Sequence, residues 1–231
     1  MTDARKVLVV DVGGTHVKLL TSDADEPRRF ASGRELTPEQ AVEGIRAAAE
    51  GWSWDVASVG VPTPVRGGKM IADPVNLGPG WIGFDFEQAL GTPTKVVNDA
   101  VMQAIGGFEG GRMLFLGLGT GLGSALIVDG VVEPLELGHL PYKKKTFEDY
   151  VSEPARKRRG KKRWLKDVFD VVERLEAALE PDYVVIGGGG VKQLDEVPPS
   201  ARRGGNDAAF TGGFRLWEPE WSPRPGAGEP S

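Results

Sequence analysis

The 231-residue chain contains no cysteine and only two histidines, His16 and His139. The lack of cysteine excludes disulfides, thiolate zinc sites and cysteine nucleophiles, and it fits a cytoplasmic protein. The longest uncharged run, residues 113–128, is too short and too rich in glycine, serine and threonine for a membrane span. Near the N-terminus an acid follows only four apolar residues, which is too short for a signal peptide. We therefore expect a cytoplasmic protein without membrane contact.

The net charge of −5 conceals a strongly basic segment. Residues 143–166 contain 11 Lys or Arg and 3 acids, whereas the rest of the chain contains 17 and 30. The C-terminal half of this segment, Arg156–Lys166, attracts polyanions if it is a binding track, and it is a solvated helix face or loop if it is not. Nucleic acid is not expected, because the rest of the chain is acidic and no aromatic stacking platform accompanies the basic residues.

Strand and helix patterns alternate along the chain, which indicates an α/β protein. Apolar residues flank a glycine turn at residues 7–20 and again at 113–128, and each pattern predicts a β-hairpin. The similarity of the two hairpins suggests two related halves. Helices are predicted at 37–50, with Thr37 as N-cap, at 85–91 and at 164–179; further strands are predicted from 56, from 94 and from 183.

The glycine turns, "DVGGTHVK" and "GLGTGLGS", match neither the dinucleotide fingerprint nor the P-loop. Both continue as strands rather than helices, so a phosphate would be held by backbone N–H groups and hydroxyls at a hairpin tip. Asp11 is positioned to organise a hydrated Mg²⁺, with Lys18 close behind. The alternative is that these glycines only permit tight turns.

Six motifs carry a resemblance to a known family: "DVGGTHVK", "NLGPGW", "VVNDA", "GLGTGLGSALIVDG", "ELGH" and "VVIGGGG". In this order they resemble the ROK family of sugar kinases and sugar-responsive repressors. The segment "EDYVSEPARKRRGKKRW" is most similar to the polyphosphate/ATP glucokinases within it. The resemblance implies an actin-like, ribonuclease-H-like ATPase fold, with two lobes of mixed sheets and a cleft between them.

The resemblance also implies lobe boundaries. We expect the first lobe at residues 1–98 and the second at 99–217, with the packing of 206–217 on the first lobe left open. The proline-rich segment 218–231 is expected to be a disordered tail.

The resemblance implies roles for individual residues. The donor phosphates would be bound by Asp11, Gly13, Gly14, Thr15, Lys18, Gly119, Thr120, Gly121, Gly123, Gly187, Gly188 and Gly189. The sugar would be bound by Asn76, Asn98, Asp99, Glu136 and His139, with Asp99 as the catalytic base. A homodimer is expected from the habit of the family.

Two of these residues have a structural alternative. Asp99 follows an apolar strand and is also a suitable N-cap for the next helix. His139 matches a position that ligates a structural zinc in many ROK proteins, but without cysteine we expect no such site. For His139 a contact to a sugar hydroxyl and a structural hydrogen bond both remain open.

These features predict a hexose kinase that uses Mg²⁺ and either ATP or polyphosphate, with glucose as the expected acceptor. A non-catalytic sugar-binding protein and a kinase for another hexose, such as fructose or an N-acetylated amino sugar, are the alternatives. Thr63 in "GVPTPV" replaces a glycine that is common in ROK kinases, which leaves the sugar open. The short segment 190–206 leaves it undecided whether the chain forms an adenine pocket.

Overall fold

The computed structural model describes residues 5–205 and 207–221, apart from the side chain of Glu220. The strands are β1 Val7–Val12, β2 His16–Thr21, β3 Arg28–Ala31, β4 Val56–Val61, β5 Val65–Arg66, β6 Lys69–Met70, β7 Thr94–Asn98, β8 Arg112–Leu118, β9 Leu122–Val128, β10 Val131–Leu135, β11 Pro141–Tyr142, β12 Lys145–Thr146, β13 Tyr183–Gly187 and β14 Ala201–Arg203. The helices are α1 Pro38–Ala48, α2 Phe86–Leu90, α3 Asp99–Gly107, α4 Glu148–Val151, α5 Glu153–Arg159, α6 Lys161–Leu179 and α7 Ala208–Arg215. Short 3-10 turns lie at Leu137–His139, Gly189–Gln193 and Pro219–Trp221.

The chain divides into two compact units. Among the described residues, unit 1 contains 5–102 and 209–221, and unit 2 contains Gln103–Ala208. The first boundary lies four residues beyond the expected 98/99, because Met102 in the first turn of α3 packs with Val7 and Val9 of unit 1.

Unit 1 is a five-stranded sheet with helices on both faces. The strand order is β3-β2-β1-β4-β7, in which β1, β2 and β3 are antiparallel and β1, β4 and β7 are parallel. Alternate residues of β1 face opposite sides, as in any strand: Leu8 and Val10 join the core that includes α1, whereas Val7 and Val9 pack with Phe210 of α7. The Ser58 hydroxyl also donates to the Gly213 carbonyl at 2.7 Å, which ties α7 to the sheet.

Unit 2 has a sheet of the same topology. Its order is β10-β9-β8-β13-β14, with β8, β9 and β10 antiparallel and β8, β13 and β14 parallel. Leu114 and Leu116 of β8 pack with Trp164, Val168 and other apolar residues of α4, α5 and α6. The predicted relation between the two halves is therefore confirmed at the level of strand order and direction.

The sequence patterns missed the third antiparallel strand of each sheet. Only one residue of β3 is even partly buried, and β10 contains Pro134 and is also largely exposed. Such edge strands lack the apolar alternation that marks a half-buried strand. The predicted helix after Thr37 is confirmed, since Thr37 and Gln40 form a capping box at its start.

Part of the predicted disordered tail is ordered. Pro219–Trp221 form a 3-10 turn instead of a disordered segment. They follow Trp217, whose indole N–H donates to the Ser58 hydroxyl at 3.0 Å and so anchors this part of the chain on the unit 1 sheet. The rest of the predicted tail, residues 222–231, lies outside the described residues.

Candidate active site

The first glycine turn lies between β1 and β2. The Gly13 N–H donates to the His16 carbonyl at 3.0 Å, and His16 is the first residue of β2. Gly14 and Thr15 are exposed. Asp11 faces Lys18 across the hairpin, with Nζ and Oδ2 3.3 Å apart, and only 15% of the Asp11 side chain is exposed. The turn therefore presents bare backbone beside a mostly buried carboxylate.

Asn76 lies next to this turn. A Cβ placed on Gly14 would be 3.5 Å from the Asn76 Cβ. The loop that holds Asn76 is fixed by Asp73, whose Oδ1 accepts hydrogen bonds from the backbone N–H groups of Trp81 and Ile82 at 2.8 and 3.3 Å. The fully buried Trp81 ring anchors the same loop in the core of unit 1. Contacts between residues far apart in sequence thus place Asn76, a candidate sugar-binding residue, beside the first glycine turn.

Asn98 and Asp99 stand where β7 ends and α3 begins. The Asn98 Oδ1 accepts hydrogen bonds from the N–H groups of Ala100 and Val101 at 2.9 and 3.3 Å, and its Nδ2 donates to the Thr63 carbonyl at 3.2 Å. Asn98, which precedes the helix, therefore supplies the N-cap that the alternative reading of the sequence gave to Asp99. Asp99 is the first helical residue, and its Oδ1 accepts from the Ala100 N–H at 2.9 Å.

Thr63, the departure from the family pattern, is buried. Its hydroxyl donates to the Ala72 carbonyl at 2.7 Å, and only 3% of the residue is exposed. Thr63 therefore fastens the end of β4 to the β5–β6 region and, through its own carbonyl, to Asn98.

The second glycine turn lies between β8 and β9 in unit 2. The Gly119 N–H donates to the Gly121 carbonyl at 3.1 Å, and the Gly119 carbonyl accepts from the N–H of Glu153, the first residue of α5, at 2.8 Å. Thr120 is exposed at the tip. A Cβ on Gly119 would meet no atom within 4 Å, so packing does not explain this glycine. The close approach of a ligand to the backbone would explain it.

The glycines after β13 fall into two groups. Gly188 has a φ of 77°, and a Cβ there would overlap the Leu118 backbone, while a Cβ on Gly187 would lie 2.6 Å from the Phe115 ring. These two glycines have a structural reason. Gly189 is exposed, and a Cβ there would meet nothing within 4 Å, so Gly189 is the one of the three that remains a candidate for contact with a donor.

Glu136 and His139 flank a 3-10 turn that rests on β9. Ser124 of β9 donates to the Leu135 carbonyl at 2.8 Å and accepts from the Leu137 N–H at 3.1 Å. Glu136 and His139 are both exposed. Within residues 5–205 and 207–221 the imidazole of His139 makes no hydrogen bond or ion pair, so the structural hydrogen bond considered for it is not seen.

Glu148 is a candidate that the sequence reasoning missed. Its Oε2 lies 2.8 Å from the position a Cβ would take on Gly121 and 3.4 Å from that on Gly138. The carboxylate is partly buried and makes no hydrogen bond or ion pair with any described residue. The Glu148 carboxylate therefore lies, unpaired among the described residues, between the second glycine turn and the 3-10 turn at Leu137–His139. An acid in the first turn of a helix is common, so the sequence gave no reason to single it out.

Gly160 divides the C-terminal half of the basic segment, Arg156–Lys166, into the end of α5 and the start of α6. Most of its cations have partners in the protein, and the Arg156 guanidinium holds the pKa of the Glu153 carboxyl below its usual value. The partnered cations are Arg156 and Lys157 with Glu153, Arg158 with the Asp149 carbonyl, Arg159 with Asp167, and Lys161 with Asp195. In the part of the chain that the structure describes, Lys162, Arg163 and Lys166 are exposed and make no such contact. The predicted track at Arg156–Lys166 stays a prediction, and these three cations of α6 are the ones in it without a partner among the described residues.

In the described ranges no helix combines the length and hydropathy of a membrane span. Among the same residues, no three His, Asp or Glu side chains come together in a way that could ligate a metal.

Comparison with known proteins now adds to this geometry. No family model matches the chain. Over 220 residues the chain is 26% identical to the polyphosphate glucokinase of Mycobacterium tuberculosis, an alignment that covers 86% of this chain and 83% of the relative. The crystal structure of the inorganic polyphosphate/ATP-glucomannokinase of Arthrobacter sp. strain KM is similar with a TM-score of 0.79 at 24% identity, covering 90% of this chain and 96% of that one. The resemblance to the ROK family is confirmed.

The ROK fold is also seen in a glucokinase of Streptomyces griseus solved with glucose and AMPPNP. Its TM-score is 0.70 at 16% identity, and the match covers 90% of this chain and 97% of that one. The predicted fold class is therefore confirmed. The candidate residues divide between the units of this ROK fold: Asp11, Asn76, Asn98 and Asp99 belong to unit 1, whereas the second glycine turn, Glu136, His139, Glu148 and Gly189 belong to unit 2.

Proposed function

We propose that the chain is a hexose kinase, which transfers the terminal phosphoryl group of ATP or polyphosphate to a hexose, with glucose as the first candidate. The similarity to a polyphosphate glucokinase and to the ROK fold supports this proposal. The observation that carries it is Asp99, a carboxylate at the carboxyl end of the parallel strand β7, where α/β folds place their ligands. The cap made by Asn98 fixes the backbone on which Asp99 stands.

In this reaction Asp99 acts as the general base. Its carboxylate accepts the proton of a sugar hydroxyl while the hydroxyl oxygen forms a bond to the terminal phosphorus of the donor. The bond from that phosphorus to the bridging oxygen breaks, and ADP or a shortened polyphosphate leaves. The transition state of phosphoryl transfer is loose, so positioning and neutralisation of charge supply most of the rate.

The glycine turns hold the phosphates in this proposal. Backbone N–H groups at Gly14, Thr120 and Gly121 bind phosphate oxygens, assisted by the hydroxyls of Thr15 and Thr120. Gly189 adds bare backbone on the donor side. Lys18 is half exposed and lies on the same hairpin as Asp11, where it can neutralise donor charge.

Mg²⁺ belongs to the proposal, and the residues present fit it. The ion usually takes one or two carboxylates and keeps several waters and phosphate oxygens. Asp11 offers a single mostly buried carboxylate, and no cluster of acids competes with it among the described residues. An ion held by Asp11 through water would neutralise charge on the donor phosphates.

Each unit carries polar groups that we propose as candidates for hydrogen bonds to sugar hydroxyls. They are Asn76 and Asp99 in unit 1, and Glu136, His139 and Glu148 in unit 2. Asn98 contributes at most one N–H, because its Oδ1 accepts two backbone hydrogen bonds and its Nδ2 already donates to Thr63. A sugar that lacks a hydroxyl would leave one of these groups unpaired, which is how such sites discriminate.

The donor is the least determined part of the proposal. Lys162, Arg163 and Lys166 present three unpaired charges along α6, which suits a long polyanion better than a nucleotide. No other described feature of the donor side separates ATP from polyphosphate, so both are proposed. The homodimer that the resemblance implies stays a prediction, and light scattering on the purified protein tests it.

A panel assay tests the function. The purified protein is mixed with Mg²⁺, ATP or polyphosphate, and glucose, mannose, fructose or an N-acetylated amino sugar, and the phosphorylated sugar is measured. Asp99→Asn is expected to lower kcat by about 10²–10⁴-fold, the usual contribution of a general base. Asp23→Asn, on a surface ion pair with Lys6, is the matched control and should leave kcat unchanged.

No sugar-dependent consumption of either donor by the wild type would contradict the kinase. If a sugar nevertheless raised the melting temperature, the non-catalytic sugar-binding alternative would replace it. A preference for a sugar other than glucose would correct the substrate and leave the reaction type intact.

A further inference from the structure

The short hairpin at residues 141–146 separates the two candidate sugar-binding segments of unit 2. The Leu137–His139 turn comes immediately before it, and Glu148 follows two residues after it. The base of the hairpin is closed by the Phe147 N–H, which donates to the Leu140 carbonyl at 3.0 Å. The direction of this hairpin therefore bears on where His139 and Glu148 lie relative to each other.

The tip of the hairpin is fastened to α6 by a buried carboxylate. Only 4% of the Asp167 side chain is exposed. Its Oδ1 accepts from the Lys143 Nζ at 2.5 Å, and its Oδ2 accepts from the Arg159 Nε and Nη2 at 3.0 and 2.8 Å. Asp167 thus joins three separate elements: the hairpin, the end of α5 and the body of α6.

Aromatic rings and a second carboxylate complete the cluster. The Tyr142 hydroxyl donates to Asp170, and the Tyr142 and Tyr150 rings meet edge to face at 5.0 Å. The Lys143 Nζ lies 4.5 Å from the centre of the Tyr142 ring, and the Arg159 guanidinium lies 4.6 Å from that of Tyr150. Burial and the bond to Asp170 raise the pKa of Tyr142, and the bond to Asp167 raises the pKa of Lys143, so both remain protonated at neutral pH.

The same elements reach the phosphate turn. α5 ends at Arg159 and begins at Glu153, whose N–H donates to the Gly119 carbonyl at 2.8 Å. Asp167 consequently holds, through Arg159, the helix that abuts the second glycine turn, and, through Lys143, the hairpin beside Glu148. Removing one partner of a buried charge is strongly destabilising, so the two cations hold Asp167 in this arrangement.

We propose that Asp167 is a positioning residue, which fixes the hairpin at residues 141–146 and thereby aligns His139 and Glu148 for the sugar. The proposal rests on the proposed function, since it assigns these two residues to sugar binding. Asp167 itself touches no substrate.

Asp167→Asn tests the proposal, with Asp195→Asn as the matched control. Asp195 also accepts a lysine, Lys161 at 2.7 Å, but 72% of its side chain is exposed. We expect Asp167→Asn to raise the KM for the sugar at least tenfold with a much smaller change in the KM for the donor. We expect faster amide hydrogen exchange in the peptide that spans residues 136–148, and wild-type behaviour of Asp195→Asn in both measurements.

A merely structural role would lower the melting temperature and leave the sugar KM and the exchange of residues 136–148 unchanged in the folded protein. That result would overturn the proposal. Lys143→Gln removes one partner and keeps the carboxylate paired with Arg159, so it gives the same test with a smaller effect if Asp167→Asn does not fold. Should the wild type show no kinase activity, the proposed function fails, whereas hydrogen exchange in the free protein still decides whether Asp167 fixes the hairpin.

Discussion

The two hairpins with glycine turns occupy equivalent places in two sheets of the same topology, but they present different chemistry. In unit 1, Asp11 lies opposite Lys18 on β2 and opposite Gly60 on the parallel neighbour β4. In unit 2 the equivalent position of β8 is Gly117, which lies opposite Gly123 on β9 and Gly187 on β13. A charged pair in one unit is thus a pair of glycines in the other.

This difference shows how one supersecondary structure serves two purposes. The first hairpin presents side chains, the Asp11 carboxylate and the Lys18 ammonium, which the proposed function assigns to a hydrated cation and to phosphate. The second hairpin offers bare backbone and is supported from outside by the Glu153 N–H, with the Glu148 carboxylate beside it. Strand pairing determines the shape of both turns, and the residue at one register position determines what each turn can bind.

The largest effect is expected from removing the charge of the first hairpin. Asp11→Asn should lower kcat by about 10²–10³-fold, because several kcal/mol of charge stabilisation by Mg²⁺ depend on it. The fold should be little affected, because Lys18 is half exposed and an ion pair with a solvated partner contributes little to stability. Steady-state kinetics over a range of Mg²⁺ concentrations measures the first effect and thermal unfolding the second. A kcat of the Asp11→Asn variant equal to that of the wild type would show that the two hairpins differ in sequence but not in function.

Changes to the glycines that pack against the second hairpin should alter the stability of the protein. Gly188→Ala should destabilise the protein by about 2–4 kcal/mol, because a Cβ at a φ of 77° would overlap the Leu118 backbone. Denaturant unfolding measures this loss. Gly189→Ala is the matched control and should cost less than about 1 kcal/mol, since a Cβ there meets nothing. Equal losses for the two variants would contradict the distinction between a packing glycine and an open one.

The Glu148 carboxylate lies beside the second hairpin, and replacing it tests how the surroundings of the two hairpins differ. Glu148→Gln should raise the KM for the sugar about tenfold, the effect of weakening one charged hydrogen bond, with the donor KM nearly unchanged. Glu133→Gln, on the exposed strand β10, is the control. An increase in the donor KM alone would instead assign Glu148 to the phosphate side.

The smallest effect concerns the unpaired cations of α6. Removing the charge of Lys162, Arg163 and Lys166 together should raise the KM for polyphosphate about threefold to tenfold at low salt and flatten its dependence on salt. The KM for ATP should change little. The control removes three exposed charges of unit 1, those of Arg29, Arg34 and Lys69, for the same change in net charge. Equal effects on both donors would contradict a track on α6.

Local patterns were sufficient for much of the fold. The hairpins, the capped helix α1 and the long helix α6 follow from residues that are close in sequence, since turn glycines, an N-cap and helical spacing act over a few positions. The edge strands β3 and β10 were missed, because exposed strands need no apolar alternation. The catalytic role of Asp99 stays a prediction, whereas the cap belongs to Asn98, and only the observed start of α3 decided between the two neighbours.

The sequence by itself determined the two glycine turns, the carboxylate on one of them and the order of motifs that points to a sugar kinase, because each depends on short-range geometry. Tertiary structure alone decided which glycines are needed for packing, which cations of Arg156–Lys166 lack a partner among the described residues, and what the Glu148 and Asp167 carboxylates contact. These features arise where segments distant in sequence meet: Gly188 against Leu118, Glu148 against Gly121, and Lys143 with Arg159 on one buried carboxylate. A contact between distant segments depends on packing, and no local pattern of residues records it.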